Sequence, residues 1–226
     1  MAINDLLFRP AWFILTESIF GIISMIVTFL ISLYAYKIYW ILSNKKYLFM
    51  AVAFFSISLG FLGKTISDMT IIYYDFLIKL LPSFFRLAYI YTGSLLLYSF
   101  LVLSGYVLLA CLAMDVKKKG TILALCLIAF LCSILIRRTS SFTFFYFSSF
   151  VLLAVYIVPY MYENYKKQRT RNAYRVYLSF LLLAIASFFF IGITIHGSYL
   201  LYILGNLLNL SAYLLLLINS ISVSGR

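Results

Sequence analysis

Seven runs of apolar residues, each long enough to span a bilayer as a helix and separated by short loops, leave this chain few alternatives. A helix needs about 20 residues to cross roughly 30 Å of hydrocarbon. Inside lipid every backbone N–H and C=O must be satisfied within the segment, so such runs form helices. They lie near 12–40, 47–66, 88–113, 120–136, 142–163, 174–193 and 198–219. None alternates apolar and polar residues with the period of two that a membrane β-barrel strand requires. Composition agrees: 65% of the 226 residues are hydrophobic, 11% are charged, and the mean hydropathy is +1.07. A soluble domain of this size carries far more polar surface. The expected fold is therefore an all-α polytopic membrane protein, a single seven-transmembrane helix bundle spanning 1–226. Asp5 and Arg9 replace the basic start of a signal peptide, and no small-residue cleavage site follows. The first run is read as an uncleaved anchor.

Sidedness follows from the lysines and arginines. Twelve of the 18 fall in alternate loops on one side: Lys37, Lys45, Lys46, Lys117, Lys118, Lys119, Lys166, Lys167, Arg169, Arg171, Arg175 and Arg226. The other six are Arg9, Lys64, Lys79, Arg86, Arg137 and Arg138. The positive-inside rule puts the richer side in the cytoplasm, giving an N-terminus outside the cell membrane and a C-terminus inside. Tyr34, Tyr36, Tyr39 and Trp40 close the first run, and Tyr156, Tyr160, Tyr162 and Tyr165 the fifth, as an aromatic belt would. The net charge of +12 is a topology signal here, with no nucleic-acid-binding motif beside it.

Between the second and third runs, near 70–86, the polar residues Asp75, Lys79, Ser83 and Arg86 recur at helical spacing. That stripe suits an external amphipathic segment lying in the interface, either a tilted extension of the second or third helix or a lid over an outward-facing pocket. A second pattern is an internal repeat. An offset of 126 lays Tyr34, Tyr36, Tyr39 and Phe54 over Tyr160, Tyr162, Tyr165 and Phe180. Ser104-Gly105-Tyr106 of the third run also parallels Ser211-Ala212-Tyr213 of the seventh. The layout is then a 3+1+3 parallel repeat of the kind some transporters use.

Polar groups at membrane depth are costly and mark function by default. Glu17, Lys64, Asp68, His196, Asn206 and Asn209 all belong to the outer half of the bundle. Glu17 is placed to pair with Lys64, and His196 with Asn206 to line a polar cavity. The competing expectation puts the four charged or titratable residues at the headgroup level, where long side chains snorkel. It treats the asparagines as glue between helices. Lys45, Lys46, Lys117, Lys118, Lys119, Lys166, Lys167, Arg169 and Arg171 form a cytoplasmic basic surface suited to an acidic partner or anionic lipid.

Catalytic constellations are missing from the sequence. One histidine and six carboxylates provide no metal-ligand spacing, no HExxH and no glycine-rich phosphate loop. Cys111, Cys126 and Cys132 are spaced neither as disulfides nor as metal ligands. The expectation is a protein without enzymatic activity, metal or cofactor. Residues 198–219 hold no lysine for a retinal Schiff base, and the third run ends in CLAMDVKKK rather than a G-protein-receptor signature. The 3+1+3 sugar transporters carry prolines in four helices, where only Pro159 falls in such a helix here.

The segment YAYKIYWILSNKKYLFMAVAFFSISLGFL and its echo YMYENYKKQRTRNAYRVYLSFLLLAIASFF together resemble the seven-helix N-terminal membrane sensor regions of prokaryotic histidine kinases and related receptors. The resemblance covers about a quarter of the chain and implies a receiver whose last helix passes a conformational change to an output domain. Only SISVSGR follows the seventh run, so output falls to a separate protein. The leading expectation is a stand-alone seven-helix receptor or sensor module that works through a membrane or cytoplasmic partner protein. The alternatives are a small-solute transporter built from two three-helix repeats and a structural subunit of a larger membrane complex.

Overall fold

The computed structural model describes residues 11–72, 84–116, 119–139, 142–196 and 199–224; the side chains of 11, 84–88, 119, 135–139, 195–196 and 224 lie outside that description. The described residues are almost entirely helical. The helices are α1 (Ala11–Leu42), α2 (Lys45–Ile72), α3 (Phe84–Ala113), α4 (Lys119–Thr139), α5 (Thr143–Gln168), α6 (Arg171–His196) and α7 (Tyr199–Ser224). All but α4 are long and apolar enough to cross a membrane; the described apolar stretch of α4 is shorter, Gly120–Ile134. Most of the amphipathic segment read near 70–86 lies outside the described residues, between the end of α2 and the start of α3.

Six helices close a ring. α1 packs on α2, α2 on α3, α3 on α5, α5 on α6, α6 on α7, and α7 returns to α1. α4 stands outside the ring, against α3 and α5. Its position explains why Leu123, Leu127, Ile128 and Leu131 are more than half exposed. The ring is filled by large apolar side chains with almost no exposure, among them Phe54, Ile57, Leu153, Ile157, Phe180, Leu183 and Tyr213.

Small residues set the closest approach. A Cβ on Gly105 would meet Ile57 Cγ1 at 2.5 Å and the Ala53 carbonyl oxygen at 2.9 Å. One on Gly60 would meet Val102 Cγ2 at 2.7 Å. Without a hydrophobic drive between helices in lipid, such backbone approach supplies the dispersion contact that holds α2 to α3. Serine hydroxyls reinforce it, with Ser56 donating to the Leu101 carbonyl oxygen at 2.8 Å.

The contacts also fix helix direction. Phe13 near the start of α1 meets Tyr199 at the start of α7 with ring centroids 4.8 Å apart. Tyr98 of α3 meets Phe145 at the start of α5 at 5.3 Å, and Tyr146 stacks on Phe190 near the end of α6 at 5.0 Å. So α1, α3, α5 and α7 run one way, and α2 and α6 the other. We call the shared starting end the aromatic end. At the opposite, basic end Lys46 lies 3.7 Å from Asp115, joining the α1–α2 turn to the end of α3. α4 therefore takes the chain from the basic end of α3 to the aromatic end of α5, and its Phe130 meets Phe100 of α3 at 5.3 Å on the way.

Two connections share one design. Ser43 after α1 and Arg169 after α5, 126 positions apart, both adopt left-handed backbone with φ 51°. Each donates its N–H four residues back, to Tyr39 and Tyr165, at 2.8 Å. The next residue then starts the following helix with a side-chain oxygen: Asn44 accepts from the Lys46 N–H and Thr170 from the Ala173 N–H. This left-handed stop and side-chain restart satisfies backbone groups that a helix end leaves open.

One irregularity was absent from the sequence reading. Leu152–Ile157 of α5 is a π-helical stretch, and Pro159 follows in the next turn. Proline has no N–H and its ring crowds the carbonyl four residues back, so a widened turn there lets α5 continue.

Candidate functional site

Three helices deliver one polar cluster at the aromatic end. Lys64 of α2 donates to Glu17 Oε1 of α1 at 2.9 Å and to the Tyr202 hydroxyl of α7 at 2.7 Å. Tyr202 in turn donates to the same Glu17 oxygen, so the three groups form a closed cycle. Glu17, Lys64 and Tyr202 are 7%, 8% and 8% exposed. Both charged side chains are therefore held inside the bundle, where an acceptor on each neighbouring helix binds the Lys64 ammonium. Aromatic rings wall the cluster. Phe13 and Phe190 lie 4.9 and 5.7 Å from the Tyr202 ring, and Lys64 Nζ lies 5.9 Å from the centroid of Tyr98. Ionised groups kept from water are costly unless paired and hydrogen-bonded, which this cycle achieves.

The other candidate residues divide. Asp68 is buried one turn beyond Lys64 and acts electrostatically on it. Asn206 lies one turn beyond Tyr202, but its amide donates to the Tyr202 carbonyl oxygen at 3.0 Å, within its own helix. Asn209 lines a cavity at the middle of the ring. His196 ends α6, and its side chain lies outside the described residues. The expected polar cavity between His196 and Asn206 therefore falls on a side chain outside the described residues.

The cavity at the middle of the ring, about 20 Å³, is lined by five helices: Phe61 of α2, Tyr98 and Tyr106 of α3, Ser149 of α5, Ser187 of α6 and Asn209 of α7 are among its walls. Tyr98 and Phe190 separate it from the charged cycle. Toward the basic end it is bounded by Tyr106, whose hydroxyl lies 3.2 Å from that of Tyr213. The hydroxyl oxygen of Ser149 is buried without a hydrogen-bond partner among the described residues. Sequence reasoning missed Tyr202, Tyr98 and Ser149. Only the position of Tyr202, near the start of the last helix at the level of Glu17, could have drawn attention to it.

The basic surface gathers at the opposite end. Lys45 opens α2, Lys166 and Lys167 lie in the last turn of α5, and Arg169 and Arg171 flank the α5–α6 turn; all five are exposed. Lys46 is engaged by Asp115 at 3.7 Å. Lys117 and Lys118 lie outside the described residues, and Lys119 opens α4. Among the described residues no group of three or more side chains gathers that could hold a metal ion.

Compared with known protein families, curated proteins and solved structures, the chain matches none.

Proposed function

We propose that this chain forms a seven-helix membrane module of the receptor or sensor type, with its N-terminal side outside, its last helix ending in the cytoplasm, and a partner protein that receives its signal. The observation that carries the reading is the Tyr202 hydroxyl. It ties α7 to the α1–α2 pair at the aromatic end, while Tyr213, three turns along the same helix, meets Tyr106 in the core. A rigid helix held by polar contacts at two depths transmits a change at one to the other. Opening the Glu17–Lys64–Tyr202 cycle would thus reach the C-terminal end of α7, beside the basic surface where a partner docks.

Seven crossings are supported by the path of α4. Its 21 residues rise about 30 Å, and it joins the basic end of α3 to the aromatic end of α5. With α4 crossing, the termini lie on opposite faces and the lysine-rich loops share the cytoplasmic one.

A specific observation favours a second reading, a small-solute transporter of two parallel three-helix units. α1–α3 and α5–α7 pack in the same order, and Val27, Ile31, Phe54 and Ile57 are buried like Leu153, Ile157, Phe180 and Leu183 at the offset of 126. The paired turns at Ser43 and Arg169 support the same duplication. The cavity then lies between the two units, where transporters with parallel repeats bind.

Gentle extraction from the native membrane tests the proposal. The sensor reading expects a fixed stoichiometric partner and no solute flux from the purified chain in proteoliposomes. Flux that Asn209→Leu abolishes, with no partner, would replace it by the transporter reading.

A further inference from the structure

We propose that the central cavity is a binding site for a small, uncharged, hydrogen-bonding molecule, an amide or polyol of about the size of urea, with water as its occupant in the resting state; the inference rests on the function proposed above and names its ligand class.

The hydrogen-bonding capacity of the walls comes first. Ser149 is 2% exposed, lines the cavity, and its hydroxyl oxygen has no partner among the described residues. Leaving such a group unsatisfied costs about 1–3 kcal/mol, so a guest that bonds it is favoured. Asn209, 9% exposed, brings an amide with both donors and acceptors to the same space. Ser187 spends its proton on the Leu183 carbonyl oxygen at 3.0 Å and keeps lone pairs to accept. The set therefore offers both donors and acceptors, as water, an amide or a polyol requires.

Charge comes second. No residue lining the cavity is formally charged. The nearest ions, Lys64 and Glu17, are already paired at 2.9 Å behind Tyr98. A charged guest would be desolvated with no counter-ion, which costs several kcal/mol; a neutral one is spared that cost.

Size comes third. About 20 Å³ exceeds the roughly 10–15 Å³ needed to hold one water, and the walls supply the two or more polar partners such a water needs. A larger guest requires the ring to open slightly. The walls that must part belong to α2, α3 and α5–α7, so its entry pulls on α7, the helix that the charged cycle restrains.

The test is direct binding to the full chain in lipid nanodiscs, read by saturation-transfer NMR with urea, acetamide and glycerol as probes. Guanidinium and acetate serve as charged counterparts of similar size. The proposal expects the uncharged probes to bind, the charged ones not to, and binding to weaken about tenfold in both Ser149→Ala and Asn209→Leu. Ser149→Ala removes a hydroxyl that satisfies nothing in the fold, so it keeps the test interpretable if Asn209→Leu misfolds. Failure of all three uncharged probes to bind, equal binding of the charged probes, or binding unchanged in Ser149→Ala would overturn it. Binding of urea with no partner found on extraction would leave this site standing and remove the sensor reading.

Discussion

Lys64 and Glu17, 47 positions apart in the sequence, meet at 2.9 Å inside the bundle with both side chains about one-tenth exposed. A pair so buried is worth less for net stability than for what its loss would leave behind.

Removing one member strands the other. Glu17→Ala takes from the Lys64 ammonium its paired carboxylate, leaving the Tyr202 hydroxyl hydrogen-bonded to it, and is expected to destabilise the protein by about 3–5 kcal/mol. The double substitution Glu17→Leu/Lys64→Met removes both charges and should recover most of that loss. Equilibrium unfolding in mixed micelles checks both. A double variant as unstable as Glu17→Ala would show that the cycle stabilises the fold outright.

The glycines of α2 and α3 separate packing from propensity. Gly105→Ala forces a methyl against Ile57 and the Ala53 carbonyl oxygen, and should cost about 1–3 kcal/mol. Gly93→Ala, in the same helix with nothing within 4 Å of the new Cβ, should be neutral or slightly stabilising. Thermal denaturation of the two variants side by side gives the comparison, and equal melting points would contradict the close α2–α3 approach.

Why some of this was legible in the sequence and some was not has a physical basis. Helix positions were readable because a bilayer demands one length and one composition. Glu17 and Lys64 stood out because charge is rare in such helices. Tyr202 did not: it is one of 20 tyrosines, most of which suit the headgroup level equally well. Ser149 and the cavity depend on how five helices meet, and no single segment encodes that. The π-helical turn had a weak signal in Pro159, read only as a proline inside a helix.

The Tyr106–Tyr213 contact joins the two halves and can be weighed by a double-mutant cycle. Hydrogen bonds between membrane helices average about 0.6 kcal/mol, so Tyr106→Phe and Tyr213→Phe should show coupling of that order in unfolding free energy. Strict additivity would mean that the hydroxyls are neighbours without being bonded.

Topology rests on whether α4 crosses. Single cysteines at Asn44 and Phe142, introduced after replacing Cys111, Cys126 and Cys132, should react with an impermeant maleimide from opposite faces of the membrane. Asn44→Cys is expected to react only from the cytoplasmic side and Phe142→Cys only from outside. Reaction of both from the same side would reduce the count to six and place the termini together.

In the proposed sensor, Tyr202 restrains α7, and releasing it moves the far end of that helix. Spin labels at Lys45→Cys and Ile221→Cys, both exposed at the basic end, report that movement by pulsed electron–electron distance measurement in nanodiscs. In Tyr202→Phe the distance distribution should shift or broaden by about 2 Å or more relative to the parent. An unchanged distribution in a folded Tyr202→Phe protein would contradict the claim.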